Sequence, residues 1–218
     1  MKLLLTSAGL SNQSIIKAFF DLVGLPSEKM KIAFIPTAAN VEEGDKSWLI
    51  EDYINLKNQK YSYIDIVDIA SVSKDIWLPR LEKANVIFVG GGNTFFLMSW
   101  LKKSGLDKIL PELLKTRVYV GISAGSIVAT INLRMSTSQK SYSEKVFPLK
   151  NDEGLGFVNF HIRPHLNSEF FPKVRVEYLS EVAKEIPEPI YAIDDKTAIC
   201  VNGKSIEIIS EGKWKKFN

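Results

Sequence analysis

Along the first 130 positions, short apolar runs rich in β-branched residues alternate with longer stretches whose apolar positions recur every three or four residues. The apolar runs at Lys2–Thr6, 31–36, 62–68, 85–89 and Val118–Ile122 read as strands. The stretches between them read as helices over 12–23, 45–56, 76–83 and 94–103, with a further short one at 111–115. Strands that are apolar almost throughout, each followed by an amphipathic helix, predict an α/β fold. Its parallel-rich sheet is covered by helices on both faces and wound by right-handed crossovers.

The pattern changes after Thr130. Residues 132–159 are polar and irregular, which predicts a long loop or lid, and a helix is expected over 169–185. The stretch 197–201, Asn202-Gly203 and 205–209 reads as a C-terminal β-hairpin, because Asn-Gly supplies the positive φ angles of a type I′ turn. No repeat, low-complexity segment or Pro/Gly-rich linker divides the chain, so residues 1–218 are expected to form one domain. That length suffices to bury a sheet between two layers of helices.

Charge and composition narrow the function classes. The formal net charge is only +3, and the one dense basic patch, Lys213-Trp214-Lys215-Lys216, reads as a short solvated tail rather than a nucleic-acid footprint. The single cysteine, Cys200, has no partner for an intramolecular disulfide and lies in an apolar run, where it reads as a buried small hydrophobe. The apolar run at the N-terminus is far too short for a signal peptide, and no stretch approaches a membrane span. A soluble cytoplasmic protein with no nucleic-acid or membrane partner is the expectation.

Two glycine-marked junctions fall at the carboxyl ends of predicted strands, the edge where open parallel sheets hold their ligands. Gly121-Ile122-Ser123-Ala124-Gly125 is a G-x-S-x-G elbow. Small flanking residues let a sharp strand-to-helix turn lift the Ser123 hydroxyl clear, and the Ala124 N–H at the helix start faces a developing oxyanion. The plainer reading makes Ser123 a helix cap. Gly90-Gly91-Gly92-Asn93-Thr94 permits close backbone approach and presents a second amide, although two of its glycines would suit an ordinary turn capped by Thr94. A dinucleotide role fails on the G-x-G-x-x-G spacing, and Gly203-Lys204-Ser205 precedes a strand rather than a helix, which rules out a phosphate loop. His161 and His165 are the only histidines, so a histidine-assisted serine must use one of them. Their i, i+4 spacing suits a metal pair only on a helix. Pro164 disfavours one there and no third ligand is evident, so neither a metal nor a cofactor is expected.

Three motifs taken together, 87–95 (Ile-Phe-Val-Gly-Gly-Gly-Asn-Thr-Phe), Gly121–Gly125 and Pro164-His165, resemble the peptidase E family. These are α-aspartyl dipeptidase-like serine peptidases, with cyanophycinase as a more distant relative. The resemblance implies a class I glutamine amidotransferase-like (flavodoxin-like) fold with serine in place of that group's elbow cysteine. It makes Ser123 the nucleophile and His165 the base, leaves His161 non-catalytic, and forms the oxyanion hole from backbone at Gly92 and Ala124. It also implies a small peptide substrate, a dipeptide with an acidic first residue in the family's case, bound near Asn93. A homodimer is compatible with this reading. The substrate carboxylate needs a cationic partner, for which Arg163 is the first candidate and Arg175 the second.

The family's third triad member is an acid that would fall at Ser138, and no acid occurs between Ser123 and Glu144. Glu144, Asp152, Glu153 or Glu169 would then orient His165, or the enzyme would work as a dyad. Three rivals stand beside a serine peptidase: an α/β-hydrolase-type esterase, a family member that only binds a peptide or amino acid, and a metal-dependent hydrolase. The esterase is disfavoured because its histidine follows the last strands, whereas 53 residues, hairpin included, follow His165.

Overall fold

A computed structural model describes residues 1–137, 149 and 151–218. Its first half follows the sequence pattern. Strands β1 (Lys2–Thr6), β2 (Lys31–Ile35), β3 (Tyr63–Ile66), β4 (Val86–Val89) and β5 (Val118–Ile122) lie side by side in the order β3-β2-β4-β5-β1, all parallel. The helices between and after them are α1 (Gln13–Val23), α2 (Ser47–Asn58), α3 (Lys74–Lys83), α4 (Thr94–Ser104), α5 (Leu106–Leu113) and α6 (Ala124–Val128).

Successive strand residues point to opposite faces, and this alternation divides the core in two. Leu4, Ile32, Phe34, Phe88 and Val120 pack with Ile15, Phe19 and Leu22 of α1 and Leu56 of α2. Leu3, Leu5, Ala33, Ile87, Val89 and Tyr119 pack on the other face, with Trp77 and Leu81 of α3 and the apolar side of α4 to α6. The i, i+4, i+7 spacing of Ile15, Phe19 and Leu22 gives α1 its buried stripe, each side chain contributing about 2 kcal/mol by leaving water.

The second half departs from the sequence reading. It adds α7 (Arg134–Thr137), β6 (His161–Arg163), α8 (Val176–Ala183), β7 (Ile190–Ile193), β8 (Thr197–Asn202), β9 (Ser205–Ser210) and β10 (Trp214–Phe217). The expected hairpin is present as β8 and β9, with Gly203 at φ 61°, and β8 runs antiparallel to β1 to extend the large sheet. A second sheet of order β10-β7-β6 is new, with β6 parallel to β7 and β10 antiparallel to it. The basic tail is therefore not merely solvated. Lys215 and Lys216 face outward from a strand whose Phe217 is buried beside Leu166, Leu179 and Ile190. The helix expected over 169–185 begins only at Val176, since Pro172 lacks an N–H and pushes the residue before it out of helical geometry. The short helix expected at 111–115 instead starts at Leu106 and holds Pro111 inside it. The loop expected over 132–159 contains α7 and an isolated bridge between Asn132 and Glu153, while 138–148 and 150 lie outside the described residues. No described helix is long and apolar enough to cross a membrane.

Candidate active site

The elbow forms at the carboxyl end of β5. Ser123 has φ 47° and ψ −107°, a sparsely populated combination that costs on the order of 1–3 kcal/mol and survives only where neighbours enforce it. They do so with hydrogen bonds: Ser123 N and Ser126 Oγ both donate to Thr6 O, at 3.0 and 2.7 Å, and Tyr119 Oη donates to Gly125 O at 2.6 Å. A side chain on Gly125 would overlap the Val89 carbonyl, so the turn can close against β4 only with glycine there. Close approach, rather than a positive φ, is what the second glycine of the motif supplies.

The junction after β4 stands beside the serine. A Cβ on Gly91 would lie 3.4 Å from Ser123 Cβ, and Gly92 takes φ 124° where a side chain would overlap the Ala38 backbone. The backbone at Gly91–Gly92 and the Ala124 N–H thus border Ser123 from two sides. Asn93, not Thr94, caps α4: its Oδ1 accepts from Phe96 N at 2.9 Å, and the residue is buried.

The structure brings Ser123 and His165 together. His165 Nε2 lies 2.9 Å from Ser123 Oγ, and Nδ1 lies 2.7 Å from Asp195 Oδ1. Asp195 is none of the four acids favoured by the sequence. Of those, Asp152 and Glu153 sit 3.8 and 3.9 Å from Arg134 and Lys102 respectively. Glu169 lies in the irregular stretch after His165, while Glu144 and Ser138 are outside the described residues. The reason for Asp195 is topological. β6 and β7 are parallel neighbours, so the residues just past their carboxyl ends, His165 and Asp195, emerge at the same edge. Leu166 N donates to Ile193 O at 3.0 Å and fixes that register.

A further residue holds the pair. Ser7, fully buried just past β1, donates from Oγ to Asp195 Oδ1 at 2.6 Å and accepts the His165 backbone N–H at 2.9 Å. That second bond holds His165 at φ 63°, an unusual backbone for a non-glycine residue. The imidazole also stacks on Phe171, with centroids 4.4 Å apart. Burial raises the Asp195 carboxyl, but hydrogen bonds and charge from His165, with the Ser7 hydroxyl, outweigh it and leave the acid below its usual range. With Asp195 ionised, Nδ1 carries the proton, and Nε2 is free to accept from Ser123.

The other sequence candidates are placed elsewhere. Arg163, buried on β6, donates to Met135 O at 2.8 Å. Arg175 ties down the loop before α8 by donating to the Phe171, Val174 and Ser168 carbonyls. His161 is wholly buried, 3.6 Å from Glu188, and burial lowers its pKa despite that carboxylate. No cluster of potential metal ligands exists among the described residues.

One buried acid has no place in this network. Asp52 on α2 is 9% exposed, and burial, then the charge of Glu51, push its carboxyl up to about 7. Because its folded pKa lies above the unfolded one, the contribution of this group to stability is most favourable below about pH 4 and is lost as pH rises through 7. Asp52→Asn is expected to stabilise the protein at pH 8 by on the order of 3 kcal/mol, with the gain vanishing near pH 4. Thermal denaturation of both proteins at the two pH values checks this; equal melting temperatures at pH 8 would refute it.

Residues 3–209 match the family model of peptidase family S51. The chain belongs to this family. It is accordingly a serine-type peptidase. An uncharacterized peptidase of Listeria monocytogenes is 31% identical over 204 residues, 90% of this chain and 97% of that one. A Drosophila melanogaster protein named a probable alpha-aspartyl dipeptidase is 31% identical over 144 residues, 63% of this chain and 58% of that one. Among solved structures, a Listeria monocytogenes protein described as a candidate peptidase E superposes with TM-score 0.80 at 29% identity, covering 97% of this chain and 98% of that one. The S51 chain shares its class I glutamine amidotransferase-like architecture, a mostly parallel sheet between helices.

Proposed function

We propose that this S51 peptidase hydrolyses short peptides, dipeptides with an acidic first residue among them, through an acyl-enzyme on Ser123. His165 is the base and Asp195 the acid that orients it. One observation carries the reading: the unbroken line of contacts Ser123 Oγ to His165 Nε2 at 2.9 Å and His165 Nδ1 to Asp195 at 2.7 Å. As Ser123 attacks the scissile carbonyl, its proton passes to His165 Nε2, and Asp195 stabilises the imidazolium. Negative charge on the carbonyl oxygen meets the Ala124 and Gly92 backbone amides. The imidazolium then protonates the leaving amine, and the C–N bond breaks to leave an ester on Ser123. Water, deprotonated by the same histidine, releases the acid and restores the hydroxyl. A protein that only binds peptides is favoured by the non-acidic Ser138, but Asp195 meets that objection from another part of the chain. A cytoplasmic location fits the same reading, since the lone thiol of Cys200 is half-buried and free.

The acidic preference rests on the family resemblance and the name of the fly relative, and matched substrates test it. Asp-Xaa is expected to exceed Asn-Xaa in kcat/KM by roughly 10-fold or more, because hydrogen bonds to an ionised carboxylate are stronger than those to a neutral amide. Equal rates on the two dipeptides would remove the preference while leaving the serine chemistry untouched.

A further inference from the structure

Helix α2 presents two residues, one turn apart, to the edge that carries Ser123. Trp48 Cζ3 lies 3.8 Å from the point where a Gly91 Cβ would stand, and Ser123 Cβ lies 3.4 Å from that same point. The indole therefore borders the nucleophile. At i+4 on the same helix face, Asp52 Oδ1 lies 3.3 Å from the Cβ position of Gly9, which is itself 3.2 Å from Ile122 Cδ1. Gly9 belongs to the loop that also supplies Ser7 to His165, and Ile122 immediately precedes the serine. Asp52 thus lies against the Gly9 turn, whose other neighbour is the residue before the serine.

The acid serves no visible structural purpose. Among the described residues nothing ion-pairs with Asp52 or hydrogen-bonds its carboxylate, although it is nine-tenths buried. A buried carboxylate without a partner is destabilising, and such residues cluster where a ligand supplies the missing charge. Trp48, 38% exposed, offers an aromatic face beside it, a second element that attracts cations.

We propose that Trp48 and Asp52 form the subsite for the first residue of the substrate, in which Asp52 binds a primary ammonium and Trp48 walls the space between it and Ser123. The inference rests on Ser123 being the nucleophile. The ammonium is the free α-amine, which a dipeptide with an acidic first residue also carries, and it would meet Asp52 by charge-assisted hydrogen bonds. An ammonium that pairs with Asp52 holds the acid ionised and relieves the cost of burying it alone, so substrate binding is strongest where the empty site is least stable.

Asp-Ala against N-acetyl-Asp-Ala isolates the α-amine. In the wild-type enzyme, removing the ammonium held by Asp52 is expected to lower kcat/KM roughly 10- to 100-fold, mainly through KM. Asp52→Asn is expected to erase that discrimination, and Asp52→Glu to recover part of it. Titration of Ser123 with a fluorophosphonate counts competent sites in each preparation. A failed nucleophile assignment therefore shows in the wild-type titration, and a failed Asp52 assignment in the substrate ratios. Wild-type rates within about threefold on the two peptides, or full discrimination retained by Asp52→Asn, would overturn the proposal.

Discussion

Ser123→Ala is expected to lower kcat on any peptide substrate by on the order of 10⁴-fold or more, and His165→Ala by a similar amount. The two side chains act as one device. A serine hydroxyl is a poor nucleophile until its proton has somewhere to go, and among the described residues the base at hydrogen-bonding distance from Ser123 Oγ is His165 Nε2, 2.9 Å away. Removing either leaves the oxyanion donors and the binding site, so a slow residual rate remains, and the double variant is no slower than the singles. Steady-state kinetics with the three variants, alongside mass spectrometry for a phosphonate adduct on residue 123, measure this directly. A Ser123→Ala enzyme with a tenth of wild-type activity would end the acyl-enzyme reading, as would strictly multiplicative losses in the double variant.

Asp195→Asn is expected to reduce kcat by roughly 10³- to 10⁴-fold while leaving the fold intact. An asparagine in this position can turn its amide N–H toward Nδ1, which moves the imidazole proton to Nε2 and points it at Ser123. The base then faces its target already protonated. Asp195 side-chain exposure of 47% means the carboxylate has water on one side, so melting temperature should change little. The loss should lie in kcat rather than KM, because Asp195 is hydrogen-bonded to His165 and would act through it. An Asp195→Asn enzyme within threefold of wild type would mean that His165 needs no orienting acid. A matching loss in Glu169→Gln, with Asp195→Asn silent, would move the role back to the acid suggested by the sequence.

The sequence made the first 130 residues readable because each strand there is a run of four or five mostly apolar residues followed by a helix. Ser123 was legible for the same reason: a buried strand led directly into glycine-flanked small residues, and the close approach at Gly125 explains why they must be small. Asp195 was not. It follows β7, four residues long, which pairs with a three-residue β6 and with a β10 that reads as lysines around one tryptophan. Strands this short carry almost no periodicity, so their shared edge is not legible in the sequence, which offers acids nearer to Ser123 instead. One signal did exist: Asp194-Asp195 closes the apolar run Ile190–Ile193 as His165 follows β6. The two aspartates then divide the work. Asp194 Oδ1 accepts from Thr197 Oγ1 at 2.7 Å and from Lys196 N at 3.0 Å, shaping the turn, while Asp195 reaches the histidine. Arg163 and Arg175 illustrate the opposite difficulty, since proximity to His165 in sequence does not reveal that their guanidinium groups bind backbone carbonyls.

The turn that carries Asp195 is the passage from the small sheet to the large one, and this sets an order of events during synthesis. As the chain leaves the ribosome, the elbow serine emerges in company with a nearly complete parallel sheet, yet its histidine and aspartate are still unmade. They align only when β6 and β7 have paired, and β7 gains its second neighbour only when residues 214–217 arrive. A half-made molecule therefore carries the folded Ser123 elbow without the histidine and aspartate that meet it in the finished chain.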